Sequence, residues 1–91
     1  MNAVIDRACA RLFADRVNAI MDEKGYPPLD PSPAYRARMF SETLLDEHGL
    51  YIRYDRVVSL LKAEKLATIS ELGAFEQVLG PIWAVAKCSE S

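Results

Sequence analysis

The groups in this chain that could make or break bonds are few. They are one histidine, His48, two cysteines, Cys9 and Cys88, and a set of carboxylates of which Glu42 and Asp46 stand one helical turn apart. A nucleophilic thiol needs a base within hydrogen-bond reach, and nothing in the spacing brings Cys9 or Cys88 to His48. A lone histidine forbids a pair of imidazoles. Glu42 and Asp46 could share a cation, but two carboxylates with one distant imidazole fall short of a metal-ligand set. The four glycines are scattered, so no glycine-rich loop can cradle a phosphate. His48 precedes Gly49, where an imidazole suits the negative end of a helix dipole. The expectation is a non-enzymatic protein with no cofactor and no metal.

Recognition chemistry is better represented. Tyr26, Tyr35, Tyr51 and Tyr54 all fall in or beside expected connections, and tyrosine is a rigid, amphipathic anchor at interfaces. Ile82 and Trp83 lie in the apolar run at residues 82–86. If that run is uncovered in the monomer it demands a partner. These six residues are the candidate contacts for a protein partner or for a second copy of the chain, a homodimer formed through the C-terminal helices.

The segment at residues 41–65 offers a different chemistry. A helix with paired leucines, Leu44 and Leu45, ends at Gly49. An apolar residue follows, and a second helix carries Val57, Val58 and Leu61. This is the layout of a helix-turn-helix. Its long turn resembles the form found in arginine-repressor-type proteins and the sigma-54 family. The resemblance covers about 25 residues and implies that the second helix enters the major groove of DNA, with Arg53, Tyr54, Arg56, Ser59 and Lys62 facing the duplex. Asp55 at the entry to that helix, with Asp46 and Glu47 nearby, departs from the pattern, because carboxylates repel phosphates.

Net charge gives DNA little help. The chain carries −2 overall, and residues 36–65 hold six basic against five acidic side chains. Ninety-one residues make one domain. With 51% hydrophobic and 26% charged residues the composition is that of a globular protein. The longest apolar run falls far short of the roughly 20 residues of a membrane span, and charged residues interrupt the first twenty positions, so neither a membrane helix nor a signal peptide is expected. Two cysteines near opposite ends suit reduced thiols. The expected setting is the cytoplasm.

The elements that must position these groups are helical. Ile5, Cys9, Leu12, Phe13, Val17, Ile20 and Met21 recur at steps of three and four, predicting a first helix over residues 3–23 whose other face carries Arg7, Arg11, Asp15, Asn18 and Asp22. Gly25 stops it, and Pro27 and Pro28 begin a stiff extended crossover that lays Tyr26 and Leu29 on the core. Ser32 as cap and Pro33 as first residue open a second helix to His48, with Ala37, Met39, Phe40 and Leu44 inside. Residues 50–54 alternate as a short strand would. A third helix is expected from Asp55 as cap to Lys65. Thr68 and Glu71 form a capping box for a fourth, ended by Gly80, and Pro81 opens a short fifth over residues 82–87. The fold expected is an all-α, single-domain bundle of four to five short helices. Two readings stay open: a protein-binding regulator, inhibitor or adaptor, and a helix-turn-helix regulator.

Overall fold

The computed structural model describes residues 3–30 and 32–82, with side chains from residue 7 onward. Four helices form: α1 (Ala3–Glu23), α2 (Pro33–His48), α3 (Tyr54–Leu61) and α4 (Ile69–Leu79). No strand occurs among the described residues. The extended segment expected at residues 50–54 is a connection over residues 50–53 with no strand pairing, and Tyr54 already begins α3. The expected fifth helix falls outside the described residues from position 83, so Trp83 and Cys88 do too. A radius of gyration of 12.4 Å matches the roughly 12 Å of a compact chain this long.

The core explains the arrangement. Phe13, Val17, Ile20 and Met21 of α1 meet Ala37, Phe40 and Leu44 of α2, Val57, Leu60 and Leu61 of α3, and Ala74, Phe75 and Leu79 of α4. Tyr26 and Leu29 pack against this core, as expected of the crossover. The inner stripe of α1 is shifted from the expected one. Ala10 and Ala14 are buried while Leu12 is exposed, because small alanines at the three- and four-residue steps let α1 approach its neighbours. Met39 is also exposed rather than inside. α3 packs on both α2 and α1, and α4 packs on the same two helices. No Cα of α3 lies within 8 Å of one in α4.

The helix ends show why the chain turns where it does. After α1, Gly25 adopts φ 81°, and the Tyr26 and Gly25 amides donate to Met21 O and Asp22 O, the double closure of a Schellman motif. Ser32 holds the cap position of α2, but its hydroxyl takes no helix amide, so Pro33 alone pre-organises that start. Asp55 does not cap α3. Arg53 is the cap residue, and Asp55 lies inside the first turn, where its carboxylate still faces the positive end of the helix dipole. Thr68 and Glu71 form the full capping box of α4: Glu71 N–H donates to Thr68 Oγ1 at 3.1 Å, and Thr68 N–H to Glu71 Oε1 at 2.9 Å.

α3 stops at Leu61, four residues earlier than expected. Glu64 N–H donates to Ser59 O at 2.9 Å and Ala63 N–H to Leu60 O at 3.2 Å, a second Schellman motif. Here the left-handed position is filled by Ala63, φ 61°. A left-handed L-residue costs roughly 1–2 kcal/mol, and a glycine there loses part of that gain through its freer unfolded state. Ala63→Gly is therefore expected to stabilise the domain by about 0.5–1 kcal/mol, raising Tm by roughly 3–6 °C in a thermal melt followed by circular dichroism. An unchanged or lower Tm would mean that Ala63 carries no such strain.

Candidate functional site

One side chain ties the framework together before any surface can be presented. Arg36 of α2 is 1% exposed, the only fully buried charged residue among those described. Its Nε donates to Pro27 O at 2.7 Å, and Nη1 donates to Asn18 Oδ1 at 3.0 Å and to Asn18 O at 3.3 Å. Its Nη2 pairs with Asp22 Oδ1. Asn18 Nδ2 in turn donates to Leu61 O at 3.0 Å, one of the carbonyls left open at the end of α3. So Asn18 and Asp22, which the sequence places on the outer face of α1, join α1, α2, α3 and the proline crossover. A signal for this existed: Arg36, Phe40 and Leu44 follow steps of four on α2.

The candidate DNA-reading residues do lie together on α3 and its two ends, but most of their charge is already matched. Arg53 pairs with Asp55 at 3.1 Å, and Lys62 with Glu64 at 3.3 Å. Ser59 Oγ donates to Asp55 O. Arg56 grips Glu71 through Nε at 2.7 Å and Nη2 at 2.9 Å, and Nη2 also reaches Leu66 O at 3.2 Å. It is largely covered rather than presented to solvent, and it clasps α3 to α4. Hydrogen bonds from Arg56 hold Glu71 below the ordinary carboxylate value; partial burial opposes them, and the Thr68 amide adds to the lowering.

A carboxyl whose pKa falls on folding stabilises the protein above its unfolded value and loses that contribution as pH drops through the folded value. Glu71→Gln is expected to cost about 1–3 kcal/mol at pH 7, the value of a hydrogen bond to a charged group. The variant should also lose less stability than the parent between about pH 5 and pH 3, since ordinary glutamate titrates near pH 4.3. Urea titrations at both ends of that window measure the difference. Parallel pH slopes would remove Glu71 from the account.

The tyrosines divide. Tyr26 is half-buried on the core; burial raises its hydroxyl pKa, and a hydrogen bond with Thr43 opposes part of the rise. Ile82 is buried in the core, because the chain after Gly80 turns back onto it. Neither is available as an anchor, and Trp83 is outside the described residues. Tyr35 and Tyr51 are 67% and 65% exposed, and Tyr54 is also exposed.

Around Tyr51 the surface becomes concave. A cleft of about 420 Å³ lies between the connection at residues 50–53 and the α3 and α4 side, bordered by Leu50, Tyr51, Ile52, Arg53, Arg56 and Glu71. A second of about 420 Å³ lies toward α2, lined by Arg38, Ser41, Glu42, Leu45, Tyr51 and Tyr54. Tyr51 is the shared ridge. Ser41 Oγ donates to Ile52 O at 2.8 Å and pins the connection to α2, and the Arg38 guanidinium lies 5.2 Å from the centre of the Tyr54 ring. Leu45 and Leu50 add exposed apolar area at the rim. No group of three or more histidine, cysteine, aspartate or glutamate side chains that could hold a metal occurs among the described residues, Glu42 and Asp46 included. Comparison with protein-family models, with curated proteins and with solved structures gives no match.

Proposed function

We propose that the protein is a non-enzymatic binding module, a small regulator, inhibitor or adaptor, whose protein partner sits across Tyr51. The observation that carries this reading is the exposed ridge of Tyr51 between two clefts, with Leu45, Leu50 and Tyr54 beside it. An apolar, aromatic patch of this kind, pinned on a rigid framework and rimmed by Arg38, Glu42 and Arg53, has the composition of an interface core with a polar rim. The matched charges of Arg53, Arg56 and Lys62 favour this reading over the helix-turn-helix one, since DNA binding draws on cations that are free to neutralise phosphates. A cytoplasmic setting accompanies the proposal, and no described helix is long and apolar enough to cross a membrane.

The test places a photoreactive amino acid at position 51, and separately at Arg11 on the outer face of α1, in the native host. Crosslinking should be specific to position 51. The captured protein, once purified, should bind the wild-type chain and lose at least about tenfold in affinity to Tyr51→Asp, in keeping with a central anchor worth about 1.4 kcal/mol or more. Equal crosslinking at both positions, or unchanged affinity, would reject the surface. Salt-sensitive binding to duplex DNA that is lost in Arg53→Ala and Lys62→Ala would favour the helix-turn-helix reading instead.

A further inference from the structure

The break between α3 and α4 is written in residues that do not favour a break. Lys62, Ala63, Glu64, Lys65, Leu66 and Ala67 contain no glycine or proline, and lysine, alanine, glutamate and leucine are strong helix formers. Local preference would carry α3 on past Leu61 as far as Ala67, and the Thr68 capping box is the only local signal against joining it to α4. The chain instead places Ala63 in the left-handed region. Besides the Schellman closure at Ala63 and Glu64, the break is held by Arg56 on Leu66 O and Glu71 and by the Thr68 capping box. Past the break, the backbone of α4 approaches α1 and α2 more closely than it does the helix that precedes it, to which Arg56 and Glu71 join it through their side chains. Local and global preferences therefore oppose each other at one hinge.

We infer that the chain has a second arrangement in which α3 and α4 run on as one helix and α4 docks on α1 and α2 of a second copy, in a reciprocal exchange that makes a two-fold dimer. Over residues 54–79 that helix is roughly 26 residues and about 39 Å long. It carries Phe75 away from Phe13 and Phe40 of its own chain, so only another copy can cover the rings. Both arrangements bury the same α4 face in the same slot. In the exchanged form Glu71 of one copy meets Arg56 of the other, Ala63 leaves the left-handed region, and the connection gains helical hydrogen bonds. What is surrendered is the Thr68 cap, the bond from Arg56 to Leu66 O and the entropy of joining two chains. Protein concentration sets the balance. The dimer forms through the α1 and α2 slot. Because Ser70, Glu71 and Ala74 of α4 line one of the two clefts beside Tyr51, the second copy then supplies that wall, while Tyr51 and the cleft toward α2 stay within one chain.

The wild-type chain is refolded from urea at low and at high protein concentration, then sized by light scattering. Dimer is expected at high concentration, with more helix per chain by circular dichroism. Ala63→Gly should weaken the association constant by about tenfold or more, because glycine both relieves the left-handed position and disfavours the continuous helix. The decisive arm uses Arg56→Glu and Glu71→Arg. Each alone sets like charges against each other in both arrangements. Refolded together, the exchanged heterodimer restores an opposite-charge pair at both sites, so a one-to-one heterodimer should dominate over either homodimer. Should either variant fail to fold alone, the mixture still reports the exchange, and Ala63→Gly supplies an independent reading. Monomer at every concentration, a dimer indifferent to Ala63→Gly, or a mixture without heterodimer enrichment would each overturn the inference.

Discussion

Phe75→Ala is expected to lower the stability of the domain by about 3–5 kcal/mol, the range for truncating a buried aromatic. Phe75 is fully buried, and its ring centre lies 5.1 Å from that of Phe13 and 4.3 Å from that of Phe40, both in tilted contact. It is the residue through which α4 reaches α1 and α2 at once. A domain of this size has roughly 5–13 kcal/mol of stability in total, so the loss takes a large part of it. Urea denaturation should show the midpoint falling steeply, and Tm should drop by at least about 12 °C. Phe75→Leu keeps most of the volume and should lose much less. Near-equal losses for alanine and leucine would mean that ring contact, rather than the cavity, dominates.

Arg36→Ala is expected to cost about 3 kcal/mol, because it leaves part-buried carbonyl groups without donors and removes the centre of a shared network. Pro27 O and Asn18 Oδ1 each lose a hydrogen bond, while Asp22, largely exposed, can turn to water. Arg36→Lys is not a conservative change here. A lysine ammonium cannot span a proline carbonyl, an asparagine and an aspartate with the fixed fork of a guanidinium. It should recover less than half of the loss. Arg36→Met restores packing without donors, and comparison of the three by urea denaturation separates volume from hydrogen bonding. If methionine matched the wild type, the network would contribute packing alone.

Much of the fold could be read in the sequence because its helix ends are marked by special residues. Gly25, Gly49, Pro33 and the pair Thr68 and Glu71 each impose a backbone geometry or satisfy an open amide, and the observed ends fall there. The early stop of α3 carries no such mark. Its sequence favours helix, and the contacts that accompany the break, Arg56 with Glu71 and Leu66 O, form only in three dimensions. Arg36 escaped for a related reason. A charged residue reads as exposed until the groups that satisfy it are known, and those groups come from α1 and the proline crossover. Tyr35, Tyr51 and Tyr54 stand exposed as their places beside connections suggest. Tyr26 and Ile82 do not, because a residue next to a turn can point inward as easily as outward.

The bond from Asn18 to Leu61 spans 43 positions of chain, and it bears on the order of events in folding. α2 and α3 are neighbours in sequence and pack closely, so their pairing needs only a short loop to close. α3, at eight residues, is too short to persist alone. It becomes a helix as α2 receives it. The chain between α1 and α2 is longer than that between α2 and α3, so α1 is expected to dock later, with Arg36 on α2 receiving Asn18 and Asp22. On that order Arg36→Ala is expected to speed unfolding and leave the folding rate nearly unchanged, which stopped-flow refolding and unfolding would show. The buried arginine is then expected to set how long the folded chain lasts more than how fast it forms.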